Sequence, residues 1–357
     1  MEFLYHPLFL FFLSVSFLFL ILKIIKKEKV EYNFIFGMYR TEKGLGWIKR
    51  LSEKKFWEHY EKISFYLGIF MIIISFLLVL YGIIKVQPSF VPLIPGTEIK
   101  GIQIPLFETI IAIFITAFIH EISHAILLFK NNLSVKNWGF FFLGPFLGAF
   151  VEPNEDELKD YNEKKKISIF SAGSSTNLIF GGILFIIVFI LLSILPNVGK
   201  SYLIITGTIP NTSAYYLNIS PGEKIISING IEVKTIKELN NILSRYKPGD
   251  TVLLETNKSV YNITLIEKNG KAIMGVYLVQ VYETRLNYLI YLLGWIGMIN
   301  IGIGIANMLP IYPLDGGRAL ESLLRLRFNK ERSRKITIYI SALTILLILI
   351  NISFLFI

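Results

Sequence analysis

Cysteine is absent from this 357-residue chain, and histidine is scarce, with only four residues. Without cysteine the chain can form neither a disulfide nor a thiolate metal site, so any metal must be held by histidine and carboxylates. Charged side chains are also scarce at 17%, whereas 53% of the residues are hydrophobic. Because soluble domains contain about 25% charged residues, this composition indicates a membrane protein.

The net charge of +10 is compatible with two kinds of partner. Lysine and arginine collect in the cytoplasmic loops of membrane proteins, and this explains an excess of positive charge without any further partner. A nucleic-acid partner would instead require a basic patch on a soluble domain. We therefore expect the lipid bilayer, and no nucleic acid, to be the partner of these charges.

Six apolar stretches are long enough to span a bilayer, since a spanning helix needs roughly 20 predominantly apolar residues. The sequence predicts a polytopic α-helical membrane protein with about six transmembrane helices, in a multi-pass arrangement in the cell membrane. The predicted spans are 8–25, 63–85, 107–129, 168–195, 284–308 and 336–357. The predicted domains are two N-terminal spans (1–104), a membrane core in two parts (105–197 and 284–330), an insertion (198–283) and a last span (331–357).

The distribution of basic residues predicts the orientation of these spans. The first span is followed, not preceded, by a basic cluster, so it resembles a membrane anchor with its N-terminus outside more than a signal peptide. The basic loops 26–62, 130–167 and 309–335 are predicted to be cytoplasmic. The segment 86–106 and the insertion are then outside, as are both termini.

The apolar segment 138–151 is too short to cross a membrane. Gly139, Gly144, Pro145 and Gly148 would interrupt a helix there. We expect a re-entrant or interfacial hairpin, because non-helical backbone at membrane depth must be satisfied by protein or by a cavity. An apolar loop lying at the interface is the alternative.

The insertion at 198–283 has the composition of a soluble domain. Runs rich in valine, isoleucine and threonine alternate with turn signals such as Asn229-Gly230, and residues 235–246 predict a helix that begins at Thr235 with Glu238 as its capping-box partner. The insertion is therefore expected to be a small α+β domain. The predicted strands are 202–208, 224–228, 251–256 and 261–266.

The third predicted span contains the motif His120-Glu121-Ile122-Ser123-His124. His120 and His124 are one helical turn apart and project from one face, so two imidazoles can bind one zinc ion. Glu121 is close enough to accept a proton from a water molecule at the metal without being a ligand itself. The alternative is that these groups form hydrogen bonds to neighbouring helices, or a proton relay.

A catalytic zinc needs three protein ligands and an open position. Besides carboxylates, the remaining histidines are His6, near the outer end of the first span, and His59, in a charged cytoplasmic loop. Asp315 is a better candidate, because it follows an apolar run in a stretch interrupted by Pro310 and Pro313. A solvated aspartate in a turn at a helix end is the alternative.

Together the two motifs resemble those of the site-2 protease family of intramembrane metalloproteases. That family combines HExxH with a later NxxPxxxxDG segment, and Asn307, Pro310, Asp315 and Gly316 match every fixed position of it. The resemblance covers roughly residues 105–330. It implies a protease that cleaves membrane-spanning proteins, with one zinc ion per chain held by His120, His124 and Asp315. It also implies Glu121 as the general base. Because the two histidines lie nearer the predicted cytoplasmic end of the third span, we expect the zinc towards the cytoplasmic side.

Two further features have counterparts in the same family. The segment 171–177 is similar to a small-residue motif that ends in asparagine, although Ser174 occupies a position where proline is usual. Asn177 and Asn307 are thus candidates to hold the substrate carbonyl or its oxyanion. The segment 220–230 resembles a PDZ domain, which implies a module that binds a peptide C-terminus; the alternative is a spacer.

Two other functions remain to be distinguished from a protease. A transporter would also place ionisable residues at mid-membrane, but it predicts inverted repeats, and none is recognisable in the sequence. A non-catalytic membrane scaffold with a PDZ-like module would leave the two motifs without a role.

Overall fold

The computed structural model of the chain describes residues 7–99, 101–144 and 146–355. In the first half, the elements in chain order are α1 (Pro7–Ile25), β1 (Val30–Tyr32), β2 (Phe36–Thr41), α2 (Leu45–Ser52), α3 (Phe56–Lys85), β3 (Glu98–Ile99), β4 (Ile102–Gln103), α4 (Leu106–Lys130), β5 (Val135–Leu143), β6 (Phe146–Pro153), α5 (Glu155–Lys159) and α6 (Glu163–Val198). The second half contains β7 (Lys200–Thr208), α7 (Ser213–Tyr216), β8 (Lys224–Ile228), β9 (Ile231–Glu232), α8 (Ile236–Leu243), β10 (Thr251–Thr256), β11 (Val260–Thr264), β12 (Ile266–Lys268), β13 (Lys271–Ile273), β14 (Val276–Glu283), α9 (Leu286–Asn307), α10 (Asp315–Arg325) and α11 (Lys330–Ser353).

Six of the described helices, α1, α3, α4, α6, α9 and α11, are long and apolar enough to cross a membrane. They overlap the six predicted stretches, so the chain is a polytopic helical membrane protein. Helix α3 begins at Phe56, earlier than the predicted residue 63, because its first two turns are polar and hydropathy detects only the apolar part of a helix. The predicted last span ended at residue 357, and residues 356 and 357 lie outside the described part.

The chain divides into two compact units, of which the first comprises residues 1–186 and 292–357. Hydroxyl groups join its helices: Tyr60 of α3 donates to the carbonyl of Ala172 in α6 (2.6 Å), and Ser64 donates to the carbonyl of Ser168 (2.8 Å). Such side-chain to backbone bonds are a common means of helix association where no water competes.

A four-stranded antiparallel sheet with the order β1-β2-β5-β6 also belongs to this unit. The segment 26–62, which was predicted as a cytoplasmic loop, contains β1, β2, α2 and the start of α3. The segment 138–151 forms the hairpin β5–β6, in which Phe142 pairs with Leu147 and Phe140 with Ala149. Gly144 makes the turn with a positive φ of 57°, and Pro145 lies outside the described residues. β6 is an edge strand of this sheet and packs against α4.

The second unit comprises residues 187–291 and has a six-stranded antiparallel sheet with the strand order β11-β10-β8-β7-β14, in which β9 pairs with β8. Strands β12 and β13 form a separate two-stranded antiparallel sheet. The predicted strands lie in or overlap β7, β8, β10 and β11. Helix α8 begins after Thr235, and the predicted capping box with Glu238 is present. Apolar residues from the strands and from α8 form the core: Leu203, Ile205, Ile225, Ile228, Leu239, Ile242, Val252, Leu254 and Ile263.

Candidate metal centre

Helix α4 brings the two histidines of the HExxH motif onto one face. The helix is continuous from Leu106 to Lys130, so His120 and His124 are one turn apart, and their ring centroids are separated by 4.8 Å. His120 is 5% exposed, and the side chain of His124 is 13% exposed. Two such polar rings in a membrane-spanning helix need partners, because unpaired polar groups are costly there.

Asp315 supplies a carboxylate to both rings. Its Oδ2 lies 2.9 Å from Nε2 of His120 and 3.2 Å from Nε2 of His124. Within residues 7–99, 101–144 and 146–355, these three side chains form the one group of histidine and carboxylate residues with ligand atoms close enough for a metal, all within 4.8 Å. His59 is exposed on α3 and does not belong to the group, and His6 lies outside the described residues.

The chain reaches Asp315 through an irregular segment between α9 and α10. Its backbone groups find partners on two flanking helices: Ser75 of α3 donates to the carbonyl of Met308 (3.0 Å), and Ser341 of α11 accepts from the N–H of Tyr312 (2.9 Å). Ser341 Oγ also lies 3.2 Å from the carbonyl oxygen of Pro310. Irregular backbone at membrane depth is stable only when its N–H and C=O groups have hydrogen-bond partners within the protein. These two serines therefore stabilise the conformation of the segment.

Two glycines allow the first turn of α10 to pack closely on this segment. A Cβ at Gly316 would overlap the backbone of Met308 and Leu309, and one at Gly317 would overlap that of Ile311 and Tyr312. The Asp-Gly-Gly sequence is therefore a steric requirement. Larger residues would force α10 away and withdraw the Asp315 carboxylate from the histidines.

The donor set fits a zinc ion. Nδ1 of His124 lies 2.7 Å from the carbonyl oxygen of Ile169, so Nδ1 carries the hydrogen and Nε2 presents its lone pair. That lone pair faces the Asp315 carboxylate, and two electron-pair donors at 3.2 Å repel each other unless a cation or a proton lies between them. Two imidazole nitrogens and one carboxylate oxygen form a ligand set known from catalytic zinc sites.

The two candidate asparagines face different nitrogens of His120. Nδ2 of Asn177, on α6, lies 3.0 Å from Nδ1, on the side of the ring away from Asp315. Nδ2 of Asn307, the last residue of α9, lies 3.5 Å from Nε2, on the same side as Asp315. Of the two, Asn307 is thus the residue near the atoms that would face a metal and substrate.

Glu121 lies beside the histidines and contacts the hairpin. Its Oε2 accepts a hydrogen bond from the backbone N–H of Val151 in β6 (2.9 Å). A cavity of about 210 Å³ adjoins it, and its lining includes Glu121, His124, Phe150, Val151, Asp315 and Arg318. The backbone groups of Val151 and Ile169 were not predicted as part of the site, and no side-chain pattern could have revealed them.

Comparison with known proteins identifies a family and several relatives. The model of peptidase family M50 matches residues 108–350. The chain is 28% identical to an uncharacterized protein of Methanocaldococcus jannaschii, over 85% of this chain and 82% of that protein. It is 27% identical to a protein of Clostridium acetobutylicum named as a zinc metalloprotease, over 46% of this chain and 55% of that protein.

Two shorter similarities concern separate parts of known proteins. A membrane-bound transcription factor site-2 protease homolog of Arabidopsis thaliana is 27% identical over 39% of this chain and 27% of that protein. Among solved structures, the PDZ domain of an SdrC-like protein of Listeria monocytogenes is 23% identical and covers 22% of this chain and 86% of that domain, with a TM-score of 0.20.

The family match extends over more than half of the chain and includes both motifs and the residues that the fold brings together at Asp315. The chain belongs to peptidase family M50, the family of the site-2 proteases.

Proposed function

We propose that this protein is an intramembrane zinc metalloprotease that hydrolyses peptide bonds in membrane-spanning proteins. The observation that carries the proposal is the convergence of His120, His124 and Asp315, from helices distant in sequence, beside a cavity that Glu121 also lines. A zinc ion held by these three residues would polarise the scissile carbonyl and activate a water molecule.

Glu121 is then the general base. It lies one residue after His120 on α4, so its carboxylate is at the edge of the ligand set and not within it. It takes the proton from the attacking water and passes it to the nitrogen of the leaving amine, so both steps use one carboxylate. Asn307, near Nε2 of His120, is the residue that we assign to hold the substrate carbonyl by its amide N–H.

The test is co-expression with a panel of single-span proteins, together with metal analysis of the purified chain. Wild type should cleave at least one of them and contain about one zinc per chain. Glu121→Gln should retain zinc and lose cleavage, and His124→Ala should lose both. Glu108→Gln, on the same helix, is the matched control and should cleave normally. A zinc-free wild-type chain would favour a transporter or a scaffold.

Strand β6 is proposed as the place where the substrate is presented. The backbone bonds of a transmembrane helix are satisfied internally, so its scissile bond becomes accessible only after local unwinding. An unwound segment can regain hydrogen bonds by adding to a sheet edge, and β6 is such an edge beside Glu121. The N–H of Val151 points away from β5, towards Glu121. Because the N–H groups of a strand point to alternate sides, the N–H of Ala149, two residues earlier, points the same way.

Substitutions at Ala149 test this role. Ala149→Pro removes an outward N–H and should reduce cleavage of a membrane-spanning substrate, since edge strands tolerate proline structurally. Ala149→Ser keeps the N–H and is the control. Equal cleavage by the two variants, at equal zinc content, would exclude strand addition at this position.

The second unit is proposed to act as a PDZ-like filter outside the membrane, with the metal centre towards the cytoplasmic side. The supporting observation is a small antiparallel sheet with a capped helix, α8, since such sheets bind peptide ends by strand addition. A chain lacking residues 198–283 should lose its preference between full-length and pre-trimmed substrates. An unchanged preference would leave the unit as a spacer.

A further inference from the structure

The buried amide of Asn177 has an unusual environment. Its Nδ2 faces Nδ1 of His120 at 3.0 Å, and its Oδ1 is buried and has no hydrogen-bond partner among the described residues. Buried polar atoms without partners are rare and call for an explanation. An asparagine amide can be turned by 180° without changing its shape, and this exchanges the positions of its oxygen and nitrogen.

The chemistry of His120 decides which orientation suits a metal site. A histidine that binds a metal through Nε2 must carry its hydrogen on Nδ1. That N–H then needs an acceptor, as Nδ1 of His124 has in the carbonyl of Ile169. At His120 the neighbouring group is the amide of Asn177, and its partnerless Oδ1 is the acceptor that this N–H requires.

We propose that Asn177 is a positioning residue, which accepts a hydrogen bond from Nδ1–H of His120 and so holds that ring in the tautomer and orientation that bind zinc through Nε2. This inference rests on the metal site of the proposed function. It gives Asn177 a role on the far side of the ring from the substrate, and so replaces its expected role at the oxyanion.

Two features of α6 support this role. Gly173, one turn before Asn177, lies against the ring of His120 so closely that a Cβ there would overlap its atoms. Helix α6 therefore contacts the His120 ring both on its face, through Gly173, and at Nδ1, through Asn177. Gly304 of α9 similarly leaves room for the side chain of Asn177, because a Cβ added at residue 304 would lie 3.1 Å from the Cβ of Asn177. The amide of Asn177 on α6 is thus packed between α4 and α9.

The experiment measures zinc affinity of the purified full-length chain by competition with a chromophoric chelator, and the absorption spectrum of the Co²⁺-loaded chain. Asn177→Leu should weaken zinc binding by about 10- to 100-fold and alter the Co²⁺ spectrum, as expected when the partner of a metal-binding histidine is lost. Asn177→Asp keeps an acceptor and should stay within about threefold of wild type.

Asn300→Leu is the matched control. Asn300 is also fully buried in a spanning helix, and its Oδ1 also has no partner among the described residues, but its Nδ2 donates to Ile296 and not to a histidine. It should bind zinc as wild type does. Equal losses in both leucine variants, or none in Asn177→Leu, would overturn the role of Asn177. A wild-type chain that binds no zinc would instead overturn the metal site itself.

Discussion

Gly173 offers a direct test of how the packing of α6 controls the metal centre. In Gly173→Ala, the new Cβ would overlap Cγ, Cδ2 and Nε2 of His120, so the ring must move. Extra methyl groups in a packed interior cost about 1–3 kcal/mol. If this strain is relieved by displacing the ring, zinc affinity should fall by roughly 5- to 150-fold, since each 1.4 kcal/mol is a factor of ten.

Gly182→Ala on the same helix is the matched control, because nothing lies within 4 Å of the Cβ that it would add. Alanine favours a helix over glycine by about 1 kcal/mol, so this variant should be as stable as wild type or more so. Zinc competition and thermal unfolding in detergent would be measured for both variants. If Gly173→Ala binds zinc as tightly as Gly182→Ala, the ring of His120 is not confined as the geometry indicates.

Three further perturbations have expected outcomes. Ser341→Ala should destabilise the chain by about 1–3 kcal/mol and weaken zinc binding, because the N–H of Tyr312 loses its partner near Asp315. Thr235→Ala should lower the stability of the second unit by about 1 kcal/mol through loss of the cap of α8, as measured by thermal unfolding. Burial opposes ionisation of Glu223, but hydrogen bonds from Thr256, Ser220 N–H and Tyr261 outweigh it and lower its pKa below 4.5. The ionised carboxylate of Glu223 therefore stabilises the wild type at neutral pH, and this stabilisation should be lost as the pH falls below about 4.5 and the carboxylate becomes protonated. Glu223→Gln should lack this pH-dependent loss in unfolding scans.

Controls and contrary results differ among the three. Thr344→Val removes a hydroxyl whose one hydrogen bond among the described residues is to Ile340 in its own helix, so it should not affect zinc binding. An equal loss of zinc in Thr344→Val would show that Ser341 has no specific role at the site. Thr235→Ser keeps a capping hydroxyl and should resemble wild type. Parallel pH curves for wild type and Glu223→Gln would show that the carboxylate has the same pKa in the folded and unfolded chain.

The sequence was sufficient to predict the parts of the candidate site that depend on local geometry. His120 and His124 share a face because a helical turn brings them there, and hydropathy located the helix. The proximity of Asp315 followed from a motif shared with a family, since no local rule joins residues so far apart. The position of Asn177 at the far edge of His120 was not predicted, because it depends on the rotation of α6 against α4.

The sheet of the first unit shows a second limit of prediction. Residues 36–41 form β2 by pairing with β1 and with β5, and β5 follows about a hundred residues later. Strand formation depends strongly on such partners. The strands of the loop 26–62 were therefore not predicted, and its charges indicated only its side of the membrane. The hairpin at 138–151 was predictable because its glycines and its short length excluded a spanning helix.

Helix α3 lies before the part of the chain that matches the family, yet it helps to hold the candidate site. The match begins at residue 108, whereas Ser75 donates to the carbonyl of Met308, in the segment that leads to Asp315. Tyr60 and Ser64 donate to carbonyls of α6, the helix that carries Asn177. An unpaired backbone group in hydrocarbon costs several kcal/mol. The matched region alone would therefore leave the Met308 carbonyl without its partner and α6 without the hydroxyl contacts of α3, so α3 belongs structurally to the metal centre.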